Sequence, residues 1–144
     1  MEAHFYNVNI SWKQDRKGEM SSPELSQSVE IATPPQFPKG LEDIWSPEHL
    51  FTAAVSSCLM TTFLAIAENS KIDFVNFECS SKGKLEQIEG KFLMTEVILE
   101  PVVTIKNESE REKAEKVLQK SEANCLISNS VKSKITMISE IKLA

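Results

Sequence analysis

Residues 46–59 read SPEHLFTAAVSSCL, and they open the longest apolar segment of the chain. Ser46 suits an N-cap, Pro47 suits the first helical position, and Glu48 puts a negative charge in the first turn, where the helix dipole favours it. A helix from Pro47 to about Asn69 follows. Its apolar residues Leu50, Phe51, Ala53, Ala54, Val55, Leu59, Met60, Phe63, Leu64, Ile66 and Ala67 lie on most sides, so the spacing predicts a central helix covered by more than one small sheet face. Cys58 stands inside it, on a face shared with Phe51, Ala54, Val55 and Thr62. A cysteine in such a helix is either a small packing residue or a reactive thiol.

Working outward, the order of elements is strands, long helix, hairpin, helix, strand, an α+β domain spanning residues 1–144. His4, Tyr6, Val8, Ile10 and Trp12 alternate with Asn7, Asn9 and Ser11, the period of a half-buried strand. KQDRKGE (13–19) reads as a turn, with short strands near Glu19 and over 27–32. TPPQFPKG (33–40), with three prolines and a glycine, reads as an irregular loop. Beyond the central helix, Val75, Phe77 and Cys79 share one parity, and residues 72–105 form a long hairpin through Gly90. Asn107 with Glu110 resembles a capping box, and Ala114, Val117, Leu118 and Ser121 trace the apolar face of a second helix that runs toward Cys125. The alternating charges of 108–116 read as its solvated face. Ile135, Met137, Ile141 and Leu143 mark a closing strand.

Composition removes several classes of function. The chain has 144 residues, 41% hydrophobic, with Asp and Glu outnumbering Lys and Arg by 21 to 16 and a net charge of −5. That balance lacks the basic footprint that nucleic acid or anionic membrane binding needs. The N-terminus does not read as a signal peptide, and residues 50–67, broken by Thr52, Ser56, Ser57, Thr61 and Thr62, fall short of the ~20 apolar residues of a membrane span. Three distant cysteines fit neither a disulfide framework nor a zinc pattern, so free thiols in a reducing cytoplasm are expected. His4 and His49 lack a third metal ligand and read as structural or surface residues. No phosphate loop, dinucleotide fingerprint or serine nucleophile elbow is present. Cys79, in phase with Val75 and Phe77, reads as packing. Cys125, where the chain turns after the second helix, reads as more reachable than a cysteine in mid-strand.

SPEHLFTAAVSSCL resembles the motif of the OsmC/Ohr proteins (osmotically inducible protein C and organic hydroperoxide resistance protein), in which a Pro-Glu pair opens the central helix and a cysteine follows ten residues after the glutamate. Glu48 and Cys58 have that spacing. Cys125 in ANCLISNSV occupies the place of the family's second cysteine, although Asn124-Cys125-Leu126 stands where many relatives carry His-Cys-Pro. Arg16 with Gly18, in DRKG, matches the Arg-x-Gly turn of the Ohr branch.

The resemblance implies an intertwined homodimer with the long helices at its centre, and a thiol-dependent peroxidase without metal or bound cofactor. In this reading Cys58 attacks the peroxide, Cys125 resolves the sulfenic acid as a disulfide, Arg16 stabilises the thiolate, Glu48 orients Arg16, and an external dithiol restores both thiols. An apolar rim of Phe51, Phe63 and Phe37 would favour organic hydroperoxides over hydrogen peroxide. Two alternatives stand beside it: a non-catalytic dimer of the same fold that binds a small apolar ligand at its interface, and a purely structural dimer with inert thiols.

Overall fold

Helix α1 spans Pro47–Ser70 in the computed structural model, which describes residues 1–144. It begins where its capping residues place it. The Ser46 hydroxyl accepts the His49 backbone N–H at 3.1 Å and meets the His49 ring Nδ1 at 2.7 Å, so His49 has a capping role, with its ring edge-on to Trp45. Residue contacts divide the chain into two compact units, Met1–Leu50 and Phe51–Ala144.

The first unit holds an antiparallel sheet of β1 (Asn9–Gln14), β2 (Lys17–Ser21) and β3 (Val29–Ala32) in that order. A two-residue turn at Asp15 and Arg16 joins β1 to β2, Asp15 takes a positive φ of 49°, and the Trp12 indole donates to the Asp15 carbonyl at 3.0 Å. The strand expected over residues 4–12 starts only at Asn9, and none of it is half-buried: every residue of β1 is exposed, and so are Phe5, Tyr6 and Val8. Alternation reported the pairing tendency correctly, but within its own unit β1 has no layer over either face.

The second unit is built on the hairpin of β4 (Phe74–Ile88) and β5 (Lys91–Ile105). Glu89 and Gly90 both take positive φ, 50° and 80°, the geometry of a two-residue turn that suits the twist of the flanking strands. A bulge between Phe74 and Asn76 reverses the expected parity at the start of β4. Phe74 therefore joins the core, in edge contact with Phe63 at a centroid distance of 5.2 Å, while Val75 is exposed.

The closing strand is two strands, β6 (Lys134–Met137) and β7 (Glu140–Leu143), both parallel to β5 and in one continuous register with it. The break has a backbone cause. Ile138 donates to the Leu99 carbonyl, so in a parallel ladder its own carbonyl would accept from residue 101. Residue 101 is proline, which has no N–H to donate.

Alternate residues of β5, namely Val97, Leu99, Pro101, Val103 and Ile105, are fully buried. Val97 and Leu99 pack with Val55 and Leu59 of α1, while Val103 and Ile105 pack with Phe63, Ala67 and the face of α2 (Arg111–Ala123) formed by Ala114, Val117 and Leu118. Each such side chain contributes about 1.5–3 kcal/mol relative to exposure. Gly83 of β4 lets α1 approach closely, since a Cβ there would lie 2.0 Å from Thr52 Oγ1. The second helix starts later than expected. Asn107 makes no side-chain cap, and a short turn over Glu108–Glu110 precedes Arg111, whose guanidinium pairs with Glu108 and donates to the Ile141 carbonyl.

Cover for α1 is incomplete within this chain. Only Val55, Cys58, Leu59, Phe63 and Ala67 of its 24 residues are buried. Ser57, Met60, Thr61, Leu64, Ala65 and Glu68 recur at helical spacing along one exposed stripe. The full helix is also long and apolar enough, by composition, to cross a membrane. Its buried face is nevertheless packed on the chain's own sheet.

Candidate functional site

Cys58 and Cys125 meet inside the second unit. Cys58 lies on the buried face of α1 and keeps 8% of its surface open; Cys125, just past the end of α2, keeps none. Both are free thiols, and they stand within hydrogen-bonding reach of each other, the Cys125 thiol donating to the Cys58 sulfur.

The turn that carries Cys125 contains neither glycine nor proline and is shaped by its own polar side chains. The Asn124 side-chain amide donates to the Lys120 carbonyl at 2.8 Å, that of Asn129 donates to Ala123 at 3.2 Å, and the Ser130 hydroxyl donates to Leu126 at 2.7 Å. Backbone bonds from Cys125 to Glu122 and from Asn129 to Cys125 complete it. Ile127 then packs into the cluster of Val55, Leu59, Val97 and Leu99, which holds the turn against the α1 and β5 layer.

This arrangement splits the two thiols. Burial acts to raise the pKa of Cys58, but hydrogen bonds from the Cys125 thiol, the Ile127 N–H, the Thr62 hydroxyl and the Leu126 N–H outweigh it and hold Cys58 below the ordinary thiol range. The Thr62 Oγ1 lies 3.8 Å from the sulfur. Burial raises Cys125, its donation to Cys58 raises it further, and the Ser128 hydroxyl and N–H only partly oppose this. Chemically, the pair is a nucleophile favoured as thiolate beside a second thiol kept protonated.

The other residues singled out in sequence are distributed over both units. Arg16 lies in the first unit, exposed at the β1–β2 turn, its carbonyl accepting from Thr33 N–H at 3.2 Å. Glu48, also in that unit, is half-buried in the first turn of α1. Cys79 is half-buried on β4 against the Val55–Leu59 cluster, and burial pushes its thiol up. Phe63 cannot line a substrate rim, because it is fully buried between Phe74 and Phe77. Phe51 is half-buried at the edge of the Val55–Leu59 cluster. Leu126, Ile127 and Ser128 escaped the sequence reading because two of them act on Cys58 through backbone N–H groups, which no residue type advertises. The Ser- and Asn-rich composition of 121–130 was the available signal.

Comparisons with known proteins agree with this architecture. An uncharacterised protein of Bacillus subtilis, YmaD, is 23% identical over 142 residues, covering 95% of this chain and 93% of its own length. The structure of an OsmC-like protein of unknown function from Vibrio cholerae superposes with a TM-score of 0.85 at 24% identity, over 95% of this chain and 99% of that one. An organic hydroperoxide resistance protein from Elizabethkingia anophelis superposes with a TM-score of 0.78 at 21% identity, over 99% of both chains. At these identities the superpositions speak for the fold. The sequence model of the family described as OsmC-like protein matches residues 40–140, a span that holds α1, the hairpin, α2 and both meeting cysteines, and the chain belongs to that family.

Proposed function

We propose that the protein is a thiol-dependent peroxidase acting on organic hydroperoxides, with Cys58 as nucleophile and Cys125 as resolving thiol. The observation that carries this reading is the contact between the two thiols, with Cys58 held low and Cys125 high. The name of the Elizabethkingia relative supports a role in organic hydroperoxide resistance.

In the proposed cycle the Cys58 thiolate attacks the outer peroxide oxygen, the O–O bond breaks, and the alkoxide leaves and takes up a proton as the alcohol. Cys58 is then a sulfenic acid. Cys125 attacks its sulfur, the S–O bond breaks, and hydroxide leaves with the proton of Cys125 as water. An external dithiol reduces the resulting disulfide by exchange. Arg16 is assigned the cation that stabilises thiolate and departing oxygen, and Glu48 the carboxylate that orients it, on the strength of the motif.

The protein is further proposed to work as a homodimer in the cytoplasm. The exposed stripe of Ser57, Met60, Thr61, Leu64 and Ala65 on α1 supports a second copy, since it combines apolar surface with small residues that allow close helix approach.

The test is consumption of cumene hydroperoxide with a dithiol reductant. Cys58→Ser is expected to lower it by at least about a hundredfold. Cys125→Ser is expected to keep the first oxidation but to lose disulfide formation and to accumulate over-oxidised Cys58, visible by mass spectrometry. Turnover unchanged in Cys58→Ser would remove Cys58 as the nucleophile, and wild-type turnover no faster than that of the reductant alone would sink the peroxidase reading in favour of a non-catalytic dimer that binds an apolar ligand. For Arg16→Ala the expected outcome is a raised Cys58 titration midpoint and an oxidation slower by about tenfold. An unaltered thiol titration removes Arg16 from the site.

A further inference from the structure

We propose that Ser128 serves the resolving step, its buried hydroxyl and backbone N–H receiving the negative charge of the Cys125 sulfur as that sulfur attacks oxidised Cys58. The inference rests on the peroxidase reading above and names a residue that the motif does not.

Two independent observations support it. First, the Ser128 Oγ is a buried side-chain polar atom with no hydrogen-bond partner. Buried hydroxyls almost always find a partner, and leaving one unsatisfied costs about 1–3 kcal/mol. Second, Ser128 follows Cys125 by three residues in the turn closed by the Asn129 N–H bond to the Cys125 carbonyl, and its hydroxyl and N–H act to lower the thiol of that buried sulfur. A neutral thiol is a poor acceptor and leaves the hydroxyl poorly satisfied, whereas a thiolate is a strong one. The interaction therefore strengthens when charge develops on Cys125. That difference is what favours a reaction step over its ground state.

The need for such a partner follows from the burial of Cys125. Its sulfur is cut off from water, and in the resting protein its proton is committed to Cys58. Once Cys58 has become a sulfenic acid, that proton leaves with the departing hydroxide as water. During the transfer the Cys125 sulfur carries negative charge with no solvent to receive it. The Ser128 hydroxyl and N–H are the donors already in place. Their position is fixed by the turn, through the Asn129 N–H bond to Cys125 and the Ser130 bonds to Ile127 and Leu126 on either side.

The experiment has two arms and a folding control. In a Cys58→Ser, Cys79→Ser background, ultraviolet thiolate absorbance titrates Cys125 alone. Adding Ser128→Ala is expected to raise the midpoint by about one unit, a tenfold loss of thiolate at a given pH, and Ser128→Thr, which keeps the hydroxyl, is expected to restore most of it. In the otherwise wild-type chain, disulfide formation after one equivalent of cumene hydroperoxide is expected to slow by about tenfold near neutral pH in Ser128→Ala. The deficit should close at high pH, where Cys125 ionises without help. The alanine variant is expected to melt at or above the wild-type temperature, since it removes a poorly satisfied hydroxyl.

An unshifted Cys125 midpoint overturns the proposal, and so does a clearly lowered melting temperature, which would place the hydroxyl's partner elsewhere. A shifted midpoint in a protein that forms no disulfide with peroxide supports the Ser128–Cys125 contact and sinks the peroxidase reading instead.

Discussion

Cys79 packs from β4 against the cluster of Val55 and Leu59, and Cys58 lies between those two residues in sequence on the buried side of α1, yet the two are opposite kinds of thiol. Burial pushes both upward. At Cys79 the backbone N–H of Glu100 is the only opposing donor, and the carboxylate of the same residue adds to the rise. At Cys58 two backbone N–H groups, a hydroxyl and a second thiol converge on one sulfur and reverse the effect. The comparison teaches that depth in the core does not decide whether a cysteine is inert. What decides it is the number of donors that can follow the sulfur when it becomes charged, and at Cys58 most of those come from a turn more than sixty residues further along the chain.

The largest expected effect separates the two cysteines directly. Cys58→Ser should lower hydroperoxide turnover by at least about a hundredfold, whereas Cys79→Ser should leave it within about twofold. Cys79→Ser does place a hydroxyl beside Val55, Leu59 and Leu99, so its cost should appear in stability, at about 1 kcal/mol in a denaturant titration. A Cys79 variant as inactive as the Cys58 variant would break the comparison.

An intermediate effect concerns pH. Because Cys58 in the folded protein lies below a free thiol, folding favours its thiolate. The stability gained from that preference is fully present above the unfolded thiol value of about 8.5 and is lost as the pH falls through the folded value. The rate of Cys58 oxidation should instead follow the thiolate fraction of the folded protein, flat above the folded midpoint and falling tenfold per unit below it. Cys79 and Cys125, both raised, should remain protonated over that range. Stopped-flow oxidation from acid to mildly alkaline pH would show the midpoint, and one at or above that of a free thiol would remove the distinction between the cysteines.

Much of this was legible in sequence, and the parts that were not share a cause. Ser46, Pro47 and the apolar run fixed α1 because capping and periodicity are local signals, and Ala114, Val117, Leu118 and Ser121 marked the buried face of α2 for the same reason. The bulge that exchanges Val75 for Phe74 and the proline that splits β6 from β7 depend on which strand lies alongside, and neither has a local signature. The exposed β1 and the half-covered α1 show a further limit: period and parity name the apolar face of an element, not the chain that will cover it. At the site, the motif supplied Cys58 and Cys125, while the amides of Leu126 and Ile127 that tune Cys58 carry no residue-type signal at all.

The smallest expected effect tests that tuning one donor at a time, through Thr62→Val. The two side chains are nearly the same in shape and both β-branched, so the exchange removes the hydroxyl 3.8 Å from Cys58 and little else. Thr62 is half-buried, and losing a polar atom there should not lower stability measurably. The Cys58 midpoint should rise by about half a unit, or about 0.7 kcal/mol, since a long contact to sulfur is one donor among several. Oxidation by hydroperoxide near neutral pH should slow by about threefold and recover at high pH. A midpoint that does not move assigns the lowering of Cys58 to Cys125 and the 126–127 amides alone. A shift of two units or more would instead make Thr62 the dominant donor and turn α1 itself, rather than the distant turn, into the element that sets Cys58 apart from Cys79.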